Sequence, residues 1–207
     1  KGFARNMVTG FIRLNGMTVG AVANRTERRD GEGNAAETFE PRLTAGGCGK
    51  AAEFVSFCDA FNIPVLTLVH AEGMKADLHQ ELRIGKAMAK MTCAYASATV
   101  PKVTVIVGKA YGTAYTVMNS KGIGADLVYA WPETAVGMMD AESAVRIIYG
   151  EEISRAENAS ALIGEKTAEY AALQGSPLSA ARRGYIDHII QPVDTRKYVI
   201  GAFEMLF

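Results

Sequence analysis

The segment Pro101–Met118, PKVTVIVGKAYGTAYTVM, predicts a buried strand followed by a turn and a helix. The apolar run Val103–Val107 is mostly β-branched, which is typical of a strand covered on both faces. Gly108 and Gly112 are predicted to bracket the turn, and Thr113 is predicted to cap the following helix. A helix start built of small residues lets backbone N–H groups approach a ligand, with the positive end of the helix dipole behind them. This arrangement favours an anion or a developing oxyanion.

Strand and helix patterns alternate along the chain. Strands are predicted over 65–69, 103–107, 127–130 and 134–138, after a hairpin over 10–24 with an Asn15-Gly16 turn. Helices are predicted over 51–61, 78–98, 113–121, 141–148 and 154–173, with two more starting at Ser176-Pro177 and at Thr195 as a cap. Residues 25–49 have little apolar content, which predicts a flexible surface loop. Strands that alternate with helices indicate the α/β class.

The composition excludes several classes of function. The 207 residues suffice for one domain with a sizeable core, and 22 basic side chains balance 22 acidic ones, so nothing favours nucleic acid as a partner. The three cysteines lack CxxC spacing, which favours reduced thiols and a cytoplasmic location. The three histidines are not at metal-ligand spacing, and no apolar run is long enough to cross a membrane. We therefore expect a globular protein without a metal site.

Motifs spread over nearly the whole chain, in one collinear order, resemble those of biotin-dependent carboxyltransferases. Lys109–Tyr115, KAYGTAY, resembles the family's KAYGGAY, and Lys50–Pro64 resembles KAARFVRFCDAFNIP. Further matches are GFAR at 2–5, GMTVG at 16–20, YASATVPKVT at 95–104, GAD and AWP within 124–132, and RGYID, IIQP and TR within 183–196. The family comprises the carboxyltransferase subunits of propionyl-CoA and acetyl-CoA carboxylases and of the sodium-pump decarboxylases of methylmalonyl-CoA and glutaconyl-CoA.

The resemblance implies a fold, a domain arrangement and a set of partners. The expected fold is the crotonase (ClpP/crotonase-like) fold, a spiral of ββα repeats. Residues 1–207 are expected to form a C-terminal carboxyltransferase domain, because every match falls in the second of the family's two similar halves. This domain is expected to be inactive alone, because the family's oxyanion hole for the CoA thioester lies mostly in the N-terminal half. The expected partners are its own N-terminal carboxyltransferase domain, a biotin carrier protein and further copies in a homo-oligomer, with a membrane subunit in the decarboxylases.

The resemblance also implies carboxyl transfer between carboxybiotin and the α-carbon of an acyl-CoA. Biotin is then the cofactor and a coenzyme A ester the substrate, and backbone amides rather than a side-chain nucleophile stabilise the biotin enolate. By position in the family motifs, the catalytic amides are those of Gly112, Thr113, Ala114, Gly73 and Met74. Thr116 lies at a position associated with acyl-chain selection, and Tyr111 lies beside the turn. These two residues are the expected substrate-binding residues.

Two segments depart from the family pattern. Val69–Lys75 reads VHAEGMK where VDVPGFLPG is expected, so both prolines are absent and the allowed conformations of the loop change. Glu72 places a negative charge beside a proposed oxyanion site, which opposes catalysis unless the carboxylate points away. Thr113 replaces the second glycine of the turn, where its amide still donates but its side chain narrows the pocket.

Two other interpretations stay open at this point. A catalytically degenerate paralogue, motivated by the altered loop and by Thr113, would bind a CoA ester or assemble with an active subunit. A biotin-independent crotonase would require a carboxylate pair for acid–base chemistry, for which Glu72, Asp77 and Glu133 are weak candidates. Accessible amides at Gly73 and Met74 favour the carboxyltransferase, and converging carboxylates favour the biotin-independent enzyme.

Overall fold

The chain starts with a β-hairpin and then alternates strands with helices, as the computed structural model of residues 2–207 describes. The strands are β1 (Met7–Leu14), β2 (Met17–Asn24), β3 (Glu27–Arg29), β4 (Ala35–Thr38), β5 (Arg42–Leu43), β6 (Val65–Ala71), β7 (Gly73–Met74), β8 (Lys102–Tyr111), β9 (Leu127–Ala130), β10 (Ala135–Gly137) and β11 (His188–Ile189). The α-helices are α1 (Ala45–Ala60), α2 (Leu78–Ser97), α3 (Gly112–Val117), α4 (Ala141–Ile148), α5 (Gly150–Arg155), α6 (Ala159–Leu173), α7 (Pro177–Arg182) and α8 (Thr195–Leu206). This alternation confirms the α/β class.

Seven strands form one mixed sheet in the order β1-β2-β6-β8-β9-β11, with β10 beside the end of β8. Only β1 and β2 are antiparallel to each other within this sheet; the other described pairs are parallel. Asn15 and Gly16 connect β1 to β2 with φ values of 47° and 83°. Positive φ at both central residues is what a two-residue type I′ turn requires, and the predicted hairpin is confirmed.

Both faces of the sheet carry a hydrophobic core. Helices α1 and α2 pack on each other and, with α3, cover one face. On this face the hydroxyl of the fully buried Tyr95 lies 3.0 Å from Thr67 Oγ1. Helix α8 contributes Val199 and Phe203 to the core on the other face. Coverage on both sides explains why Val103–Val107 is almost continuously apolar.

The prediction of a loop over 25–49 is wrong for much of that segment. β3 and β4 form a small antiparallel hairpin there, β5 pairs in parallel with β7, and α1 already begins at Ala45. Thr44 caps this helix, since its Oγ1 accepts a hydrogen bond from Gly47 N at 3.0 Å. The helix start packs closely, because a Cβ on Gly47 would lie 3.4 Å from Met7 Cβ. Short exposed strands and a glycine-rich helix start carry few apolar residues, so composition did not reveal them.

Two predicted helix starts also differ from the structure. The helix predicted over 154–173 is divided into α5 and α6, because Asn158 Oδ1 accepts a hydrogen bond from Ala161 N at 3.1 Å and begins a new helix. Thr195 is the first residue of α8 and does not cap it; its Oγ1 instead accepts a hydrogen bond from Trp131 Nε1 at 2.9 Å. Within residues 2–207, no helix is both long enough and apolar enough to span a membrane.

Candidate active site

The turn predicted at Gly108 is absent, because β8 continues through it to Tyr111. The pairing of β8 with β6 is irregular between Val69 and Ala71, so β8 bulges opposite His70. Gly108 lies in this bulge, and a Cβ there would lie 2.8 Å from the imidazole Cγ of His70. Glycine is therefore required by a close approach between neighbouring strands and not by a change of chain direction.

The chain turns at Gly112, the first residue of α3. Gly112 has a φ of +53°, and a Cβ on it would lie 2.8 Å from the carbonyl oxygen of Met138. Both the left-handed conformation and the close carbonyl exclude a side chain. Thr113 lies inside the helix rather than before it, so it is not the predicted cap, and α3 has no side-chain cap hydrogen bond. The helix ends at Val117, one turn before the predicted end at Lys121.

The first turn of α3 contains the three amides predicted from the KAYGTAY motif. Gly112, Thr113 and Ala114 are its first three residues, and the first N–H groups of a helix have no partner within the helix. Ala114 is buried, whereas the Thr113 side chain is exposed to solvent. Thr116 is also exposed, and its Oγ1 donates to the carbonyl oxygen of Gly112 at 3.1 Å. The Thr116 hydroxyl is therefore directed back toward the same turn.

Gly73 and Met74 form the short strand β7, paired in parallel with β5. Hydrogen bonds fix both ends of this strand. Glu72 N donates to the carbonyl oxygen of Pro41 at 2.7 Å, and Lys75 N donates to that of Leu43 at 2.8 Å. β7 contacts α3. The structure thus brings together the two segments that carry the five predicted catalytic amides.

The carboxylate of Glu72 is paired and not isolated. Glu72 Oε1 lies 2.8 Å from Lys109 Nζ, which joins the segment before β7 to the end of β8. The hydrogen bond to Glu72 raises the pKa of Lys109 above its ordinary value. Lys109 thereby neutralises the negative charge that was expected to oppose an oxyanion beside these amides.

His70 also lies beside this site, although none of the sequence motifs indicated it. Its backbone N donates to Asn24 Oδ1 at 2.9 Å, and Asn24 Nδ2 donates to its carbonyl oxygen, so the buried Asn24 holds the end of β6. Burial lowers the pKa of the His70 imidazole; Glu72 raises it in part and Lys109 lowers it further. In the sequence, only Gly108 reflects this arrangement, and the His70 ring that packs against it belongs to a distant part of the chain.

A cavity of about 270 Å³ opens beside Tyr111. Its lining comes from β10 and its flanking residues and from the chain around α6 and α7, and includes Glu133, Met139 and Tyr170. Burial raises the pKa of the Tyr111 phenol, so that this hydroxyl stays protonated near neutral pH. Tyr111 thus lies between the amide turn at Gly112 and this cavity.

The three carboxylates suggested for a biotin-independent crotonase have separate structural surroundings. Glu72 pairs with Lys109, and Asp77 caps α2 by accepting a hydrogen bond from Gln80 N at 2.8 Å. Glu133 lines the cavity described above. In the part of the chain that the structure describes, no group of three or more His, Cys, Asp or Glu side chains is arranged to hold a metal ion.

Comparison with known proteins identifies relatives over the full chain. The carboxyl transferase domain family matches residues 1–207. The methylmalonyl-CoA carboxyltransferase 12S subunit of Propionibacterium freudenreichii subsp. shermanii is 43% identical over 208 residues, which cover 99% of this chain and 37% of that protein. A putative propionyl-CoA carboxylase beta chain of Bacillus subtilis is 44% identical over 208 residues, with coverages of 99% and 38%.

A solved structure agrees with the sequence relatives. Transcarboxylase 12S, a hexamer with methylmalonyl-coenzyme A and methylmalonic acid bound, superposes with a TM-score of 0.88 at 42% identity, covering 98% of this chain and 37% of that chain. This match confirms the expected crotonase-like fold. The chain spans little more than a third of the length of the curated relatives that it matches. It belongs to the carboxyl transferase domain family.

Proposed function

We propose that residues 1–207 act as the C-terminal carboxyltransferase domain of an enzyme that moves a carboxyl group between carboxybiotin and an acyl-CoA. The observation that carries this proposal is the contact between β7 and α3. Two glycine-containing segments meet there, at the positions of the family motifs KAYGGAY and VDVPGFLPG. The chain that carries them belongs to the carboxyl transferase domain family. The reaction class therefore rests on family membership together with the placement of these backbone amides.

The residues at this contact suit an oxyanion formed on a bound ureido ring. When bound, carboxybiotin supplies the carboxyl group as CO₂ and leaves negative charge on its ureido oxygen. The amides of Gly112, Thr113 and Ala114 are proposed to donate hydrogen bonds to that oxygen, and the helix dipole adds to their effect. Gly73 and Met74 are proposed to donate from β7. The absence of a Cβ on Gly112 leaves the backbone open to close approach.

The acyl-CoA is proposed to bind beside the same turn. Thr116 lies one helical turn after Gly112 on an exposed face, where it is proposed to contact the acyl chain. Tyr111 lines the cavity of about 270 Å³ and is proposed to bind substrate through its protonated hydroxyl. The identity of residue 116 would then affect the choice between acyl chains more than it affects the chemistry.

The proposed assembly includes partners outside this chain. We propose its own N-terminal carboxyltransferase domain, a biotin carrier protein and further copies of the chain, with a membrane subunit if the reaction runs as a decarboxylation. Exposed aromatic side chains support a covering partner, since Phe57 and Phe61 are 45% and 63% exposed with ring centroids 4.6 Å apart. The three free cysteines support a reducing, cytoplasmic location.

Transcarboxylation by the full-length protein tests this function. Malonyl-CoA and methylmalonyl-CoA are each offered with and without free biotin, and the decarboxylated acyl-CoA is followed by mass spectrometry. We expect biotin-dependent turnover that is lost in Ala114→Pro, which removes one amide hydrogen, and kept in Ala114→Gly, which retains it.

Two results would replace this proposal. Absence of turnover while CoA ester binding is intact would assign the chain to a degenerate, binding paralogue. Turnover at the same rate without biotin would assign it to the biotin-independent crotonases.

A further inference from the structure

A second cavity, formed by residues far in sequence from the amide turn, is lined mainly by positively charged side chains. It measures about 550 Å³ and lies between the N-terminal segment with β1, the chain that follows β2, and α1. We name it the cationic pocket, lined by Gly2, Arg5, Val8, Thr9, Arg25, Arg28 and Lys50. Four of these seven residues are cationic and none is acidic, although the whole chain has a net charge of zero.

The cations of this pocket are only partly neutralised. Glu37 on β4 is the one carboxylate that pairs with them among residues 2–207, and its Oε2 lies 3.1 Å from Arg5 Nη1 and 3.4 Å from Arg28 Nε. Arg25 and Lys50 form no ion pair in the same part of the chain. The pocket therefore has an excess of positive charge that its own residues do not compensate.

Hydrogen bonds hold the two unpaired cations in place. Arg25 Nε donates to the carbonyl oxygen of Arg5 at 2.7 Å, and its guanidinium lies 5.7 Å from the centroid of the Phe39 ring. Lys50 Nζ donates to the carbonyl oxygens of Phe3 and Met7 at 3.1 and 2.8 Å. Burial and the nearby Arg25 charge lower the pKa of Lys50. Like charges held together in this way are stabilised by a bound anion.

We propose that the cationic pocket binds a small molecule that carries two or more phosphate groups. Guanidinium groups present paired N–H donors that match phosphate oxygens, and three guanidiniums with an ammonium provide for more than one such group. A volume of about 550 Å³ is also within the range of small-molecule sites, roughly 300–1,000 Å³, and exceeds what a single inorganic phosphate fills. The phosphates belong either to a coenzyme A ester or to a free phosphorylated ligand.

Titration calorimetry of the full-length protein with inorganic pyrophosphate tests the site. We expect saturable binding that weakens about tenfold in Arg25→Gln and in Arg28→Gln, and that weakens further as salt is added. Arg29→Gln is the matched control, because Arg29 follows Arg28 on β3 but pairs with Glu27 at 2.6 Å and does not line the pocket. Circular dichroism and thermal unfolding verify that each variant is folded.

Titration with coenzyme A then distinguishes the two sources of phosphate. If the same two variants weaken coenzyme A binding and pyrophosphate competes with it, the pocket holds the phosphates of the CoA ester. If coenzyme A binding is unchanged while pyrophosphate binding weakens, the ligand is a separate phosphorylated molecule. The proposal is overturned if pyrophosphate does not bind, if both variants bind it as the parent does, or if Arg29→Gln weakens binding equally.

Discussion

The two segments that meet at the candidate active site are held in place by different kinds of interaction. The start of α3 is fixed sterically, since Gly112 has a φ of +53° and the Met138 carbonyl oxygen lies 2.8 Å from the position of a Cβ. β7 is held by polar contacts, namely its pairing with β5 and the ion pair of Glu72 with Lys109. The side chains of that pair are 29% and 52% exposed. Packed atoms hardly respond to the solvent, whereas exposed ion pairs are screened by salt.

This difference separates a preformed half of the site from an adjustable half. Substitutions at the start of α3 should act through steric strain and be insensitive to ionic strength. Substitutions that affect β7 should have smaller effects that change with salt.

Gly112→Ala should have the largest effect. The added Cβ meets the Met138 carbonyl and the left-handed backbone is strained, which together cost about 3 kcal/mol of stability. Biotin-dependent turnover of the full-length protein should fall about 100-fold, because the amides of the first turn are displaced. Urea unfolding and the transcarboxylation assay measure the two effects. Gly85→Ala in α2 is the control, since its Cβ meets nothing within 4 Å, and it should leave turnover unchanged.

Gly108→Ala should have the next largest effect, because its Cβ would lie 2.8 Å from His70 Cγ. Overpacking of this kind costs about 1–3 kcal/mol. Removal of the imidazole in the double variant His70→Ala/Gly108→Ala should restore much of this loss. A double-mutant cycle of unfolding free energies measures the coupling. Additive effects of the two substitutions would contradict the packing of the His70 ring on Gly108.

Glu72→Gln should reduce turnover by about two- to fivefold, since a partly exposed ion pair contributes about 0–1 kcal/mol. The reduction should be larger at low ionic strength than at high ionic strength, where the parent pair is already screened. Glu53→Gln is the matched control, because Glu53 forms an exposed pair with Lys90 at 2.9 Å between α1 and α2. The exchanged pair Glu72→Lys/Lys109→Glu should recover activity if the pair positions β7, and should not recover it if the Lys109 charge itself is required.

The smallest effect concerns the pH dependence of stability. Burial lowers the pKa of His70 in the folded protein below its ordinary value of 6.5, so the unfolded chain binds more protons between the two values. His70 therefore costs stability as the pH falls below about 6.5, and the cost is complete below its folded-state pKa. The urea concentration at the unfolding midpoint should fall as the pH is lowered from about 7.5 to about 5.5, and His70→Gln should make this fall smaller. The same substitution at the exposed His79 should leave the decrease as it is in the parent.

Local sequence signals predicted the parts of the fold that depend on neighbouring residues. The Asn15-Gly16 turn requires positive φ at two adjacent positions, and the sequence supplies residues that tolerate it. The apolar strand Val103–Val107 and the helix over 78–98 were likewise recognisable from their own patterns.

The details of the candidate site depend on contacts between distant residues, which local patterns do not contain. Gly108 was interpreted as part of a turn, because the residue that requires a glycine at this position, His70, lies on another strand. Gly112 was correctly placed at the turn, but the Met138 carbonyl that makes it necessary could not be inferred from spacing. The pairing of Glu72 with Lys109 was equally hidden, so the charge on Glu72 was expected to be unfavourable.

Close packing at Gly112 also couples the candidate site mechanically to the helices that follow β10. β10 is hydrogen-bonded in register to the last three residues of β8, and Met138, directly after β10, contacts the start of α3. Helices α4, α5 and α6 pack on one another just beyond this strand. On β10, Val136 N donates to the carbonyl oxygen of Gly175, just after α6, at 2.9 Å, so a partner that shifts this helical group would move β10 and, with it, the Met138 carbonyl against the amide turn.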